Sequence, residues 1–176
     1  MINLNHSHKK IINILFFLGI LFLLSCNYIN QDNISDKNIH LDEISFPKNT
    51  INGDPFNISN FKEKNILLNF WFPSCPPCVY ELEILKNIDD DFEKTQVIGI
   101  QMLGLDTKED GIKMLKNKNI LYPSIADEKD EIVIDLDITA FPTTILFDKK
   151  GEEVKRWIGI IDEKVVEKKL LEIGKE

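Results

Sequence analysis

With only three cysteines in 176 residues, the chain is not a small domain stapled by disulfides. It has no cluster of Lys and Arg, and its 21 basic residues stand against 29 acidic ones. The resulting net charge of −8 argues against nucleic acid as a partner. Its eight glycines are scattered and form neither the G-x-G-x-x-G turn nor a Walker loop, so the common nucleotide-phosphate cradles are missing. There is no internal repeat. The longest apolar run, from Ile11 to Leu24, would extend only about 21 Å as a helix, against about 30 Å of bilayer hydrocarbon, so a permanent span is the weaker reading. A chain of 176 residues fits one ordinary domain.

What is present begins with an address. His6, His8, Lys9 and Lys10 precede the apolar run, giving a basic n-region followed by an h-region. The run ends in Leu23-Leu24-Ser25-Cys26, which resembles the lipobox of bacterial lipoproteins. The resemblance implies that Cys26 is lipidated and becomes the first residue of the mature chain. A plain secretory signal and an uncleaved short anchor are the alternatives, and all three place the domain outside the cytoplasm, at the periplasmic face of a cell envelope. Residues 27–40 are polar and Asn-rich with no period, as suits a tether. The expected organisation is a signal peptide over 1–25, a lipidated cysteine with a flexible tether over 26–42, and one domain over 43–176.

Within the domain, Ile44-Ser45-Phe46-Pro47, the turn Asn52-Gly53-Asp54-Pro55 and Phe56-Asn57-Ile58 read as a short hairpin. Ile66–Phe72 is almost continuously apolar, the pattern of a strand buried on both faces. Val79, Leu82, Leu85, Ile88 and Phe92 recur at helical spacing. A strand over Val97–Met102, a helix near Lys108–Lys118 and a segment Tyr122–Ala126 leading into Glu131–Leu136 follow. Thr143–Phe147 and Glu152–Ile158 flank the turn Asp148-Lys149-Lys150-Gly151, and Asp162 is placed to cap a last helix, Glu163–Ile173. Strands alternating with helices and closing on an antiparallel hairpin predict an α/β sandwich around a mixed central sheet flanked by helices.

The chemistry concentrates where the buried strand runs into a helix through Cys75-Pro76-Pro77-Cys78. Cys75 falls at the N-cap, and a proline at the first helical position costs nothing because that N–H has no partner anyway. The Cys75 sulfur then faces free N–H groups and the positive end of the helix dipole, which favours thiolate over thiol. Pro76 and Pro77 remove two donors, leaving the Cys78 N–H as the nearest partner. Cys75 is the nucleophile candidate and Cys78 the resolving thiol. A structural staple closing so short a loop would give only about 2 kcal/mol. A zinc half-site would need two more ligands, and beyond Cys26 the processed chain offers only His40.

Leu67-Leu68-Asn69-Phe70-Trp71-Phe72-Pro73-Ser74-Cys75-Pro76-Pro77-Cys78-Val79-Tyr80-Glu81 resembles the active-site segment of the TlpA/ResA-like thiol-disulfide oxidoreductases, membrane-tethered members of the thioredoxin superfamily. Ala140-Phe141-Pro142-Thr143-Thr144, followed by Ile145–Gly151, is similar to the second motif of that family, and the resemblance covers roughly residues 44–173. It implies a thioredoxin-like fold with an N-terminal hairpin and a central strand-helix insert around Leu103–Leu136. It also implies a cis peptide at Pro142, with its loop against the two cysteines and Phe141 lining a docking surface for an extended substrate. Pro76, Pro77, Thr143 and Trp71 complete the expected substrate side, although Trp71 and Trp157 suit a core at least as well.

Glu81 lies one helical turn after Cys78, and the resemblance implies that it handles protons; a solvated helix glutamate is the alternative. Asn69 occupies the position where cytoplasmic thioredoxins carry a buried acid, which leaves Glu81 as the only obvious candidate. Ser74 stands where the family commonly has tryptophan, and Glu83 where proline is frequent. Asp89-Asp90-Asp91 reads as a solvated helix end.

Family resemblance favours the reducing direction on disulfide-bearing envelope proteins. It needs no redox cofactor beyond the two cysteines, and it calls for a membrane electron donor of the thiol-disulfide type. A monomer is expected, attached to the membrane through the Cys26 lipid. The rival readings are a peroxiredoxin-like thiol peroxidase, disfavoured because Pro73-Ser74 replaces the usual Thr before the reactive cysteine, and a non-catalytic envelope module that binds a partner on the same fold.

Overall fold

The computed structural model describes residues 39–174, so the signal, lipobox and most of the tether expected from the sequence lie outside the described residues. Five strands form one sheet: β1 (Asn65–Trp71), β2 (Thr95–Met102), β3 (Ser124–Asp127), β4 (Thr143–Phe147) and β5 (Glu153–Ile158). Their order is β3-β2-β1-β4-β5, with β1, β2 and β3 parallel and β4 and β5 antiparallel to their neighbours. Four helices connect or close them: α1 (Pro76–Asp91), α2 (Lys108–Lys118), α3 (Glu131–Asp135) and α4 (Glu163–Ile173). The sandwich around a mixed sheet is as the sequence predicts.

Because side chains alternate along a strand, each central strand feeds two separate cores. Ile66, Leu68 and Phe70 of β1 join Ile98, Ile100, Ile145 and Phe147 on one face, covered by Phe56, Ile132 and the segment entering the domain. Leu67 and Trp71 join Val97 and Leu146 on the other, under Leu82, Leu85 and Ile88 of α1, Leu115 of α2, and Val166 and Leu170 of α4. Asn69 shares this second face by its odd register, and it sits directly opposite Thr144 of β4 and Gly99 of β2. A Cβ at Gly99 would stand 3.1 Å from the Trp71 indole nitrogen and closer still to the Ser124 hydroxyl, so glycine leaves room there for both side chains.

The structure differs from the sequence expectations in three places. The N-terminal hairpin shrinks to a single antiparallel bridge, Asn49 to Pro55, around a tight turn, and Ile58–Phe61 forms a 3-10 turn instead of a strand. Proline at the bridge lacks the N–H that would extend the ladder. The domain also starts before residue 43: Ile39 and Leu41 are buried, Leu41 donates its N–H to the Gly151 carbonyl, and His40 Nε2 pairs with the Lys150 carbonyl at 2.6 Å. Finally, Asp89 is not part of a solvated helix end, because its carboxylate turns inward to accept the Val97 N–H at 2.8 Å and the Gln96 amide at 3.0 Å. Burial raises its pKa.

Candidate active site

β1 leads straight into α1 through Phe72-Pro73-Ser74, and Cys75 caps the helix with extended backbone (φ −102°, ψ 99°). Its sulfur accepts the Cys78 N–H at 3.3 Å, and Pro76 and Pro77 occupy the first two helical positions, where a missing N–H is harmless. Cys75 and Cys78 are joined as a disulfide with their Cα atoms 5.3 Å apart. Exposure separates their roles: Cys75 keeps 5% of its surface open while Cys78 has none. An incoming sulfur can reach only the first.

The peptide before Pro142 is cis. Phe141 is half-buried, and its ring meets that of Phe72 edge-on with centroids 5.3 Å apart, so the Pro142 loop packs against the segment that delivers Cys75. The Pro142 carbonyl accepts the Gly159 N–H at 2.8 Å, which fixes the turn after β5 beside it. Pro76 and Pro77 are exposed next to the disulfide. Trp71 and Thr143 do not fit that expectation. Trp71 is fully buried beneath α1, because the odd register of β1 turns it inward, and the Thr143 hydroxyl is buried and donates to the Ala140 carbonyl at 2.7 Å.

Glu81 is wholly buried, which overturns the solvated alternative. Its Oε2 accepts from Asn69 Nδ2 at 2.7 Å and from the Thr144 hydroxyl at 3.4 Å, and its Oε1 accepts from the Ile161 N–H at 2.9 Å. Burial pushes its pKa from the ordinary 4.5 up to about 7, with the three hydrogen bonds pulling the other way and no cation beside it. An acid poised near neutrality one turn from Cys78 can take a thiol proton and return it.

Three contributors could not be found by reading along the chain. Thr144 and the Ile161 N–H reach Glu81 only because β4 pairs with β1 and the α4 entry folds over both. Asp106, from the connection between β2 and α2, accepts both the Ser74 N–H at 2.9 Å and the Ser74 hydroxyl at 2.7 Å, placing a carboxylate one residue from Cys75. The one local signal for it was Ser74 itself, a hydroxyl where the related motif has tryptophan.

The comparisons with known proteins agree with this geometry. A protein-family model described as Redoxin matches residues 39–170. The thioredoxin-like protein YneN of Bacillus subtilis (strain 168) is 26% identical over 127 residues, covering 71% of this chain and 74% of that protein. The thiol-disulfide oxidoreductase ResA of the same organism is 26% identical over 160 residues, covering 84% and 86%. Among solved structures, StoA from Bacillus subtilis superposes with a TM-score of 0.62 at 25% identity, over 70% of this chain and 93% of that one.

Proposed function

This chain belongs to the Redoxin family and is a thiol-disulfide oxidoreductase of the TlpA/ResA-like type on a thioredoxin-like fold, and from that premise we propose that it reduces disulfides of envelope proteins while anchored outside the cytoplasm through Cys26. The observation that carries the reading is the division of labour at the disulfide, with Cys75 reachable at a helix N-terminus and Cys78 sealed behind it.

In the reduced enzyme the Cys75 thiolate attacks one sulfur of a substrate disulfide. A Cys75-substrate mixed disulfide forms and the first substrate thiolate leaves. Cys78 gives its proton to the Glu81 carboxylate and attacks the Cys75 sulfur, closing the disulfide seen here and expelling the second substrate thiolate. Protons from solvent and Glu81 neutralise the two leaving thiolates, so the substrate gains two electrons and two protons. The enzyme supplies both electrons and the Cys78 proton, and solvent supplies the other proton. A membrane donor of the thiol-disulfide type restores the dithiol. Pro76, Pro77 and Phe141 form the rim on which the substrate chain lies, and the Pro142 loop offers backbone for it to pair with. The N-terminal run and its Ser25-Cys26 end support the anchoring.

The reduction potential of the Cys75/Cys78 couple tests the direction. Equilibration in graded thiol/disulfide buffers is expected to give a value at or below that of thioredoxin, about −270 mV. A value near about −120 mV would make the protein an oxidant of envelope thiols instead.

A further inference from the structure

Asn69 is fully buried on the helix-covered face of β1. Its Nδ2 donates to Glu81 Oε2 at 2.7 Å and to Thr144 Oγ1 at 3.0 Å, yet among the described residues no group pairs with its Oδ1. A buried acceptor left alone carries a desolvation cost that folded proteins rarely tolerate without a reason.

The reason lies in what surrounds Glu81. Every group that bonds it donates: Asn69 from β1, the Thr144 hydroxyl from β4, and the Ile161 N–H from the entry to α4. The other titratable groups near it are Cys78, on its own helix and closed in the disulfide, and Tyr122, a buried phenol whose ionisation Glu81 and Asp89 oppose. No Lys or Arg shifts it. This shell suits a carboxylate. A protonated Glu81 has an O–H to place, and the shell offers it an acceptor only if a neighbour reverses. Thr144 Oγ1 stands 3.4 Å from Oε2, too far for a good O–H···O bond, whereas Asn69 stands at 2.7 Å. The two ends of an asparagine amide are nearly equal in size, and its χ2 torsion is broad and two-fold. A half-turn breaks no bond at Oδ1, while it trades the two Nδ2 donations for acceptance by Oδ1 from Glu81 and the Thr144 hydroxyl.

We infer that Asn69 is a proton-following positioning residue: its amide donates to Glu81 when the acid is ionised and turns to offer Oδ1 when the acid is protonated. The inference rests on the reading of Glu81 as the group that takes the Cys78 proton, and it explains how that proton is housed in a site closed to solvent. The Cys78 S–H bond breaks and an O–H bond forms at Glu81 Oε2, leaving the electron pair on the Cys78 sulfur, and Asn69 reverses its hydrogen bond to meet the new O–H.

The test uses the oxidised full-length protein, in which no thiol exchange occurs. The Glu81 carboxyl carbon and the Asn69 side-chain amide are followed together by NMR from pH 5 to 9. The amide protons of Asn69 are expected to move with the same midpoint as Glu81. Asn69→Leu removes the partner of both protonation states, so the Glu81 midpoint is expected to move by less than about half a pH unit, whereas loss of a fixed donor would raise it by about one unit, tenfold in proton binding. Asn69→Asp is expected to split the titration into two steps shared by the pair. Amide protons that stay still while Glu81 titrates would overturn the inference, and that wild-type result stands even if a variant fails to fold. A Glu81 midpoint raised by about one full unit in a folded Asn69→Leu protein, as a fixed donor requires, would overturn it too. Should Asn69 follow Glu81 while Glu81→Gln leaves the pH dependence of disulfide exchange unchanged, the catalytic reading of Glu81 fails and the coupling of the two residues stands.

Discussion

Burial without a counter-cation makes Glu81 the residue whose charge the fold resists most visibly. Its pKa is about 7 in the folded protein against an ordinary 4.5, so between those values the folded state holds a proton that the unfolded chain has lost. Stability therefore falls as pH rises through that window, by roughly 3 kcal/mol for this group, and is level above it. Asp89 and Asp127, also raised by burial, act in the same direction. Glu81→Gln is expected to flatten the decline by the Glu81 share, read as the difference in urea-unfolding free energy between pH 5 and pH 8. Equal declines in the two proteins would mean that the acid keeps its ordinary pKa. The motif singled out Glu81, but its burial was not visible there, since a glutamate after Cys78 suits a wet helix face equally well until β4 and the α4 entry close over it.

Among the elements, the connection between β2 and α2 does more than join them. Thr107 caps α2 in a reciprocal box with Asp110, which fixes where the helix starts, and the preceding Asp106 is thereby held over Ser74. A carboxylate one residue from Cys75 opposes the thiolate that the α1 dipole favours. Asp106→Asn keeps the shape and removes the charge. It is expected to speed alkylation of reduced Cys75 roughly threefold at a pH below the thiol's midpoint, with the gain shrinking in high salt. Ser74→Ala frees the loop while leaving the charge, so a similar gain there would point to the tether and not to the charge. Elements with local signals were legible: Asp162 marks the start of α4, α2 spans Lys108–Lys118 as expected, and β4 has the bounds its apolar run predicts. The N-terminal hairpin was not, because a good turn at Asn52-Gly53 says nothing about whether the flanking residues find a ladder.

The described residues form two cores divided by one sheet, and the entering segment belongs to the core on the face away from α1, with Phe56 and Ile132. Ile39 and Leu41 are buried there although the sequence around them reads as tether. Leu41→Ala is expected to cost about 2–3 kcal/mol in urea unfolding, the range for a large apolar side chain removed from a core. A cost below about 0.5 kcal/mol, as for an exposed site, would return residues 39–42 to the tether. Their burial depends on the Asp148–Gly151 turn, more than a hundred positions away, offering the Gly151 and Lys150 carbonyls to Leu41 and His40.

The sequence alone determined the fold class and the reacting pair. The β1 run, the two prolines and the helical spacing after Cys78 are local, and local physics puts a cysteine sulfur at a helix N-terminus wherever such a string occurs. Only the tertiary structure decided which tryptophan is core, where the domain begins, and what surrounds the acid. Those depend on the strand order β3-β2-β1-β4-β5, which aligns Asn69 with Thr144 across 75 residues and brings Ile161 to Glu81 across 80. Hydrogen bonds between residues so far apart leave no period or motif in the chain, because their geometry comes from sheet register and packing.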